Sequence, residues 1–223
     1  MMYSEAMFEV DALDLLGELD WKPEEGKTLA PGSGERENWR DIVLRGRLLN
    51  ALRNLNPEVP DEYLRQAMAE VITPQSQSAI AENHRLHEIL VEGYRGIEYV
   101  DANGKRQNPT ITFFSRNPSK NDYIAANQIT IRNLDKERRF DVVLYVNGMP
   151  LAIIELKQSG STATVEDAYN QLRTYVEEFP LAFRFANVVV ASDGIGALYG
   201  TPFTPREHMS SWRVDDDGNP FEQ

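Results

Sequence analysis

The chain has 223 residues, of which 41% are hydrophobic and 26% charged, and its formal net charge is −12. The lack of cysteine excludes disulfides and thiolate metal sites, and no apolar run approaches the roughly 18 residues of a membrane span. The N-terminal residues lack a signal-peptide pattern, so we expect a cytoplasmic protein without a membrane partner. Because duplex DNA is densely anionic, so acidic a chain needs a basic patch, a metal ion or another subunit to bind it.

The N-terminal third is predicted to be mainly helical. Residues 6–21 form a short amphipathic stretch, and the breaker-rich segment 22–37 predicts a loop. Apolar residues at helical spacing predict a helix over 38–57 and a second helix over 61–72. A third helix is predicted over 76–93, where a glycine suits the C-cap.

The pattern then changes to short β-like runs. Residues 95–100 and 110–114 flank an Asn-Gly hairpin signal at 103–104. Residues 123–132 form a further run, and two more lie within residues 140–158. Short runs separated by turn signals predict antiparallel strands.

Helical spacing returns over residues 164–179, a buried strand is predicted over 185–194, and the last 20 residues show no clear element. This order predicts an α/β fold, a mixed central sheet flanked by helices with an N-terminal helical extension. We divide the chain into an N-terminal arm and helical extension (1–75), a core (76–200) and a tail (201–223).

The stretch FDVVLYVNGMPLAIIELKQ, residues 140–158, joins two apolar runs through a turn. Asp141 lies at the start of the first run, and Glu155 and Lys157 lie at the end of the second. Residues i and i+2 of a strand point to one face, so Glu155 and Lys157 project together. A charged group among apolar strand neighbours is costly unless it is paired or holds a metal. This hairpin is therefore a candidate site.

The turn decides whether Asp141 shares that face. A two-residue loop would set Asp141 opposite Ile154, on the wrong face. A three-residue loop over 146–148 would set it opposite Ile153, on the face of Glu155 and one pair away. We predict the three-residue loop or an equivalent bulge.

The two carboxylates and the lysine suit phosphodiester chemistry. Carboxylate oxygens at this spacing favour Mg²⁺, which keeps several waters and binds phosphate substrates. The lysine can orient or help deprotonate the attacking water and can neutralise charge on the phosphate. Acid-any-lysine occurs at 20–22, 25–27 and 155–157, and only the last follows a strand that carries an acid. A structural ion pair at a strand end remains the alternative.

The next helix carries a second polar pair. Gln171 and Tyr175 are four residues apart and share a helix face, from which they could reach a phosphate or hold the lysine. A packed tyrosine and a solvated glutamine are the alternative. His84 and His87 have no third ligand nearby in the sequence, and we predict no metal site there.

These segments resemble a known family of nucleases. FDVVLYVNGMPLAIIELK, followed by AYNQLRTY and NVVVASDG, is similar to the N-terminal nuclease region of the R (restriction and translocation) subunit of type I restriction endonucleases. The resemblance includes AENHRLHEILVEGYRGIEY, NPSKNDYIAANQITI and LRNLNPEVPDEYLRQA, and covers most of residues 40–200. It implies a PD-(D/E)xK restriction-endonuclease-like core and a metal-dependent endonuclease that hydrolyses DNA phosphodiester bonds.

The resemblance implies roles for individual residues. Asp141 and Glu155 match the metal-binding acids of the family, Lys157 matches its catalytic lysine, and the main-chain carbonyl of Leu156 would be a further ligand of Mg²⁺. Gln171 and Tyr175 match the Gln-x-x-x-Tyr motif, which is placed near the DNA backbone. In many members of the superfamily a glutamate on the first core helix assists the metal, and Glu82 is the candidate here. Phe140 replaces the usual proline, which puts the local strand-entry geometry in doubt.

The resemblance also implies a larger assembly. Family members continue into an ATP-driven, helicase-like motor, whereas this sequence has no G-x-x-x-x-G-K phosphate loop, so we expect an N-terminal fragment of a longer protein. The motor and the methylation and specificity subunits would bring the double-stranded DNA. The best local basic cluster is Arg132, Lys136, Arg138 and Arg139, for which a solvated loop is an equal alternative.

Two other functions stay open at this point. The chain could be a stand-alone repair or recombination nuclease with the same core. It could instead be a nuclease-fold docking module without catalysis, in which the acids and the lysine are merely paired.

Overall fold

The computed structural model of the protein describes residues 5–158 and 163–212. Its α-helices are α1 (Glu5–Glu18), α2 (Arg45–Leu55), α3 (Asp61–Ile72), α4 (Ala79–Glu92), α5 (Val165–Glu178) and α6 (Pro180–Phe183). Its strands are β1 (Lys22–Glu25), β2 (Tyr99–Val100), β3 (Arg106–Gln107), β4 (Tyr123–Asn133), β5 (Lys136–Val146), β6 (Met149–Leu156), β7 (Val188–Ser192), β8 (Ala197–Gly200) and β9 (Ser210–Ser211). None of the helices in these two ranges is long and apolar enough to cross a membrane.

A mixed sheet organises the described part of the chain, in the strand order β1-β4-β5-β6-β7-β8-β9. Strands β4, β5 and β6 form an antiparallel meander, and β1 lies parallel to β4. Strands β6 and β7 are parallel, which requires a crossover, and α5 and α6 lie within it. The predicted α/β class, a mixed central sheet flanked by helices, is confirmed.

The two faces of this sheet are covered differently. On one face, helices α2 to α6 share a core with the sheet, and side chains such as Leu48 and Phe183 are fully buried. On the other face, α1 packs through Leu13 against Val142 and Leu156. Each apolar side chain buried in this way stabilises the fold by about 1.5–3 kcal/mol relative to an exposed one.

The helix predictions hold with two changes in length. The helix over 61–72 is confirmed at both ends. Helix α4 is shorter than predicted because Ser78 caps it, its hydroxyl accepting a hydrogen bond from the N–H of Ala81. The predicted helix over 38–57 begins only at Arg45, because a turn precedes it and the N–H of the buried Leu44 donates to the carbonyl of Gly148 instead of joining a helix.

Several strand predictions were wrong. The run 110–114 contributes only a bridge from Ile111 to Tyr94, and β2 pairs instead with β3. The segment 22–37, predicted as a loop, contains β1 at the edge of the sheet. The region after residue 200, predicted to lack structure, contains β9, which pairs with β8. Residues 213–223 of the predicted tail lie outside the described residues.

The predicted boundaries at residues 75 and 200 are not visible in the packing. One hydrophobic cluster extends along the chain from Leu29 to Met209 and includes the buried residues of α2 and α3. The predicted helical extension is therefore packed into the same core as the sheet. The division into three regions stays a prediction.

Candidate active site

The β5–β6 hairpin closes through two residues, and the predicted three-residue loop was wrong. Val146 pairs with Met149. Asn147 and Gly148 have φ angles of 53° and 80°, the left-handed backbone that suits a two-residue hairpin turn. Gly148 is required at its position because a Cβ there would lie 2.4 Å from the carbonyl oxygen of Leu44.

A β-bulge after this turn brings the two acids to one face. The register shifts by one residue, and Leu151 is the extra residue on β6. Val142 consequently pairs with Ile154, and the same register continued by one residue sets Asp141 directly opposite Glu155. The predicted bulge is therefore present, although the acids lie across from each other rather than one pair apart.

Asp141 lies where β5 departs from regular pleating. Phe140 and Val143 both face the main core, although a regular strand would point them to opposite faces. On β4, Gln128 occupies the position that the register sets opposite Asp141, and its φ is 53°. The Asp141 carboxylate accepts a 2.8 Å hydrogen bond from the main-chain N–H of Leu156. This bond fixes the position of Asp141 relative to the end of β6.

Glu155 is a fully buried carboxylate, with no exposed surface. Its Oε2 atom is buried and has no hydrogen-bond partner in the described ranges. Burial, and then the negative charge of Asp141, raises the pKa of Glu155 to about 8, although Lys157 opposes the shift. Keeping Glu155 ionised at neutral pH would require a cation in addition to Lys157, because a buried charge that is only partly compensated is costly.

Lys157 lies beside Glu155, as its place on the strand predicts. Its Nζ atom is 2.9 Å from Oε1 of Glu155, and its side chain is 14% exposed. The main-chain N–H of Lys157 donates a 2.8 Å hydrogen bond to the carbonyl of Ser192, which ties the end of β6 to β7. The ammonium group is thus held just beyond the end of β6, next to Glu155 and in reach of solvent.

The residues present fit a hard divalent cation. Asp141 and Glu155 supply carboxylates from adjacent strands, and the buried Oε2 of Glu155 offers a lone pair that no described residue uses. Within residues 5–158 and 163–212 there is no cluster of three or more His, Cys, Asp or Glu side chains that could hold a metal. A site with two carboxylates suits Mg²⁺, which retains waters and substrate oxygens, better than an all-protein cage would.

Gln171 and Tyr175 lie on the buried side of α5, facing the sheet. The amide of Gln171 donates a hydrogen bond to the hydroxyl of Tyr175. Burial, and then the negative charge of Glu155, raises the pKa of Tyr175, with Asp141 adding to the shift and Lys157 opposing it. The structure thus brings the Tyr175 hydroxyl into the electrostatic field of the predicted acids and lysine.

Helix α5 is held in place by groups that the sequence analysis did not assign. Its N-terminus carries a capping box, in which Thr164 and Asp167 exchange hydrogen bonds. The N–H of Val165 also donates to Asp193, whose pKa is lowered by backbone N–H donors despite burial. Asp193 therefore joins the turn after β7 to the start of α5. The only sequence signal was its place at the end of a buried strand.

Phe140, which stands where the resembling family usually has proline, packs beneath the site. Its ring centroid lies 5.5 Å from that of Tyr175 and 5.4 Å from that of Phe183, and it has no exposed surface. The phenylalanine thus supports the helix that carries Gln171 and Tyr175. The backbone at this position, where phenylalanine replaces the usual proline, is thus held by the packing of the Phe140 ring.

The structure does not bring Glu82 to the acids. Its carboxylate accepts 3.0 Å hydrogen bonds from the N–H groups of Gln75 and Ser76, and it pairs with Arg85 at 2.7 Å. Desolvation opposes ionisation, yet these donors lower the pKa of Glu82. Glu82 therefore holds the connection between α3 and α4, and a role at the metal stays a prediction.

The predicted basic cluster lies on the part of the β4–β5 hairpin that extends beyond β6. Arg138 binds Glu178 at the end of α5, with a 2.7 Å contact, and Lys136 lies 3.2 Å from the same carboxylate. Arg132 pairs with Glu137. These pairs offset part of the cluster's charge and fasten the hairpin to α5.

Comparison with known proteins identifies relatives over nearly the whole chain. The family model described as "Type I restriction enzyme R protein N terminus" matches residues 2–208. A protein of Methanocaldococcus jannaschii, named as the endonuclease subunit of the type I restriction enzyme MjaIXP, is 29% identical over 92% of this chain and 20% of its own length. The type I restriction enzyme HindI endonuclease subunit of Haemophilus influenzae is 28% identical over 98% of this chain and 21% of its own length.

The chain thus spans about one fifth of the length of these two relatives. A shorter match, 31% identical over 36% of this chain, is to a type I restriction enzyme endonuclease subunit of Staphylococcus aureus strain COL. The family model covers far more than half of the chain. The protein belongs to the family of type I restriction enzyme R protein N termini.

Proposed function

We propose that this chain is the metal-dependent endonuclease domain of a type I restriction enzyme R subunit. The observation that carries the proposal is the arrangement across the β5–β6 hairpin, where Asp141 faces Glu155 and Lys157 lies 2.9 Å from Glu155. The buried, unpartnered Oε2 of Glu155 supports a cation at this point. Asp141, Glu155 and the Leu156 carbonyl would hold Mg²⁺.

Each residue has a role that follows from its position. A bound Mg²⁺ would supply positive charge where negative charge develops on the attacked phosphate. Lys157, held at the end of β6 by Glu155, would orient the attacking water and offset negative charge that develops on the attacked phosphate. Gln171 and Tyr175 would donate hydrogen bonds to the DNA backbone or keep Lys157 in place. Glu155 is fully buried, whereas Asp141 is half-buried, so the pair is only partly shielded from bulk water.

The proposal extends to a larger assembly in the cytoplasm. Double-stranded DNA would be the substrate, delivered by an ATP-driven motor and by methylation and specificity subunits. The net charge of −12 supports this division, because so acidic a chain has little general affinity for DNA. We expect weak cleavage, or none, from the isolated chain.

Cleavage of a circular duplex by the complete complex tests the proposal. The R subunit would carry Asp141→Ala, and cleavage and ATP hydrolysis would be measured on the same preparation. We expect cleavage to be lost while ATP hydrolysis continues. A docking module in which Lys157 and Glu155 are merely paired would retain cleavage, and that result would overturn the proposal.

A further inference from the structure

A pocket of about 460 Å³ lies at the C-terminal end of α5, away from the paired acids. It is bounded by the end of β4, the segment before α2, the α3–α4 connection and α6. Its apolar lining includes Ile42, Ile131, Phe179 and Leu181. The volume is in the range of sites for small organic ligands, roughly 300–1,000 Å³.

The charged lining of this pocket is predominantly cationic. Four arginines contribute to it, namely Arg40, Arg45, Arg132 and Arg184. The acids in the lining are Asp41 and Glu178, and both are engaged by cations. Asp41 binds Arg45 at 3.4 Å, while Glu178 binds Lys136 and Arg138 from the β4–β5 hairpin.

Three of the four arginines have donors that no described residue accepts, and one of these donors is the buried Nε of Arg45, whose other nitrogens lie near Asp41 and Glu37. The guanidinium of Arg40 makes no ion pair or side-chain hydrogen bond within residues 5–158 and 163–212, and its side chain is exposed at the pocket. Arg184 is only 7% exposed, and its buried Nε atom has no hydrogen-bond partner in the same ranges. One other donor of Arg184 binds the carbonyl of Ile72.

Arg184 is a buried cation that is incompletely compensated. Burial lowers its pKa to about 10, with the negative charge of Glu82 partly opposing the shift, so it remains charged at neutral pH. Its guanidinium stacks 4.4 Å above the ring of Phe185, which leaves its donors in a fixed plane. A buried guanidinium with an unused donor is costly, and an anion in the pocket would remove that cost.

We propose that this pocket binds the phosphate group of a nucleotide, with Arg40 and Arg184 as its phosphate ligands. Guanidinium groups form paired hydrogen bonds with phosphate oxygens, and the apolar wall offers a surface for a flat base or sugar. The nucleotide could be a free mononucleotide or part of a nucleic-acid strand. The pocket includes neither the paired acids nor Lys157, although Glu178 in its lining is one turn beyond Tyr175 on α5.

Calorimetric titration of the 223-residue chain, with EDTA present to keep metal from the acids, tests this site. The probes are AMP, adenosine, inorganic phosphate and a single-stranded 12-mer. We expect AMP to bind and adenosine to bind at least about tenfold more weakly, the equivalent of 1.4 kcal/mol. Arg40→Ala should weaken AMP binding about fivefold or more, whereas Arg116→Ala, which removes an exposed arginine outside the pocket, should not.

The 12-mer distinguishes between a free nucleotide and a nucleotide within a nucleic-acid strand as the ligand of the pocket. Competition between the 12-mer and AMP supports a strand nucleotide, and binding of AMP alone supports a free nucleotide. Failure of both AMP and the 12-mer to bind at millimolar concentration would overturn the proposal, as would an AMP affinity that Arg40→Ala leaves unchanged. Arg184→Lys is a second variant for the AMP titration, and its affinity is interpreted only when its circular dichroism spectrum matches that of the parent chain. When the spectra differ, the AMP affinity of Arg40→Ala alone decides whether the pocket binds phosphate. None of these readouts depends on DNA cleavage, so the nuclease proposal stands or fails separately.

Discussion

The carboxylate of Asp141 accepts a 2.8 Å hydrogen bond from the main-chain N–H of Leu156. This bond links β5 to β6 at the residue that follows Glu155. The pairing register of the two strands therefore determines that Asp141 and Glu155 face each other. Because Leu151 bulges out of β6, the register differs by one residue from that of a regular hairpin with the same turn. One extra residue thus decides whether the acids share a face.

Glu155 and Glu82 are both buried glutamates, but their carboxylates have different partners. These partners predict that metal stabilises the chain through Glu155 and not through Glu82. We expect Mn²⁺ or Mg²⁺ to raise the melting temperature of the parent chain, because folding brings the carboxylates of Asp141 and Glu155 together and a cation would bind the pair only in the folded state. Glu155→Gln should abolish that rise. At neutral pH it should change the stability of the metal-free chain little, because burial and the charge of Asp141 raise the pKa of Glu155 to about 8 and so leave this group mostly neutral, like the amide.

Glu82→Gln is the matched control for this experiment. Its carboxylate is occupied by Arg85 and by two main-chain donors, so the variant should be less stable but keep the metal-induced rise. Thermal melting with and without metal measures both effects. If metal still raised the melting temperature of Glu155→Gln but not that of Glu82→Gln, the metal would be bound by Glu82 and not by Glu155.

Lys157 should contribute to cleavage rather than to DNA binding. Lys157→Met removes the ammonium 2.9 Å from Glu155 and should lower the cleavage rate of the complete complex by about 10²–10³-fold, the scale of losing one charged donor at a transition state. Single-turnover cleavage at saturating DNA separates this rate from binding.

Lys27→Met is its control, since Lys27 follows Glu25 with the same acid-any-lysine spacing. Lys27 is exposed and pairs with Glu25 at the end of β1, which β4 separates from the β5–β6 hairpin in the sheet. The complete complex that carries Lys27→Met should cleave DNA at the parental rate. Equal losses in the two variants would show that the spacing alone, and not the hairpin, determines the effect.

Tyr175→Phe should reduce cleavage without loosening the core. The ring would still pack on Phe140, and only the hydroxyl that accepts from Gln171 would be lost. A hydrogen bond of about 0.5–1.5 kcal/mol corresponds to a loss of roughly 2–10-fold in rate. Tyr169→Phe removes a hydroxyl from a similarly buried tyrosine on the same helix, and we expect no change in rate. A Tyr175→Phe enzyme as active as Tyr169→Phe would exclude a role for the Tyr175 hydroxyl.

Gly148→Ala should destabilise the hairpin that carries the acids. The φ of Gly148 is +80°, and an added Cβ would lie 2.4 Å from the carbonyl oxygen of Leu44, so we expect a loss of about 2 kcal/mol or more. Gly104→Ala is the control, because Gly104 also has a positive φ of 78° but open space around its Cβ. It should cost about 1 kcal/mol. Urea unfolding measures both, and a smaller effect at Gly148 than at Gly104 would contradict the packing described for this turn.

More of the candidate site than of the surrounding fold could be predicted from the sequence. Local signals were enough for the hairpin, because alternation and the Asn147-Gly148 turn depend on near neighbours. The same signals could not place the bulge at Leu151, since nothing in that residue distinguishes it from its neighbours on β6. A bulge was therefore predicted only as an equivalent of the three-residue loop, and the three-residue loop was wrong.

Elements held by distant partners were missed. Strand β1 consists of Lys-Pro-Glu-Glu, which has no strand propensity, and it forms because β4 offers an edge about 100 residues later along the chain. Glu82 was selected from its helix, but its partners Gln75 and Ser76 belong to a loop whose path the sequence does not specify. In both cases tertiary contacts override the local pattern.

Anomalous scattering from crystals soaked in Mn²⁺ would locate a bound metal ion directly. We expect a peak bound by the carboxylates of Asp141 and Glu155 and by the Leu156 carbonyl, at ligand distances of about 2.0–2.2 Å, with Lys157 alongside. We also expect the peak to disappear in Glu155→Gln crystals treated in the same way. Ordered acids that face each other with no peak between them, at a Mn²⁺ concentration that fills other carboxylate sites in the same crystal, would contradict a metal site at this hairpin.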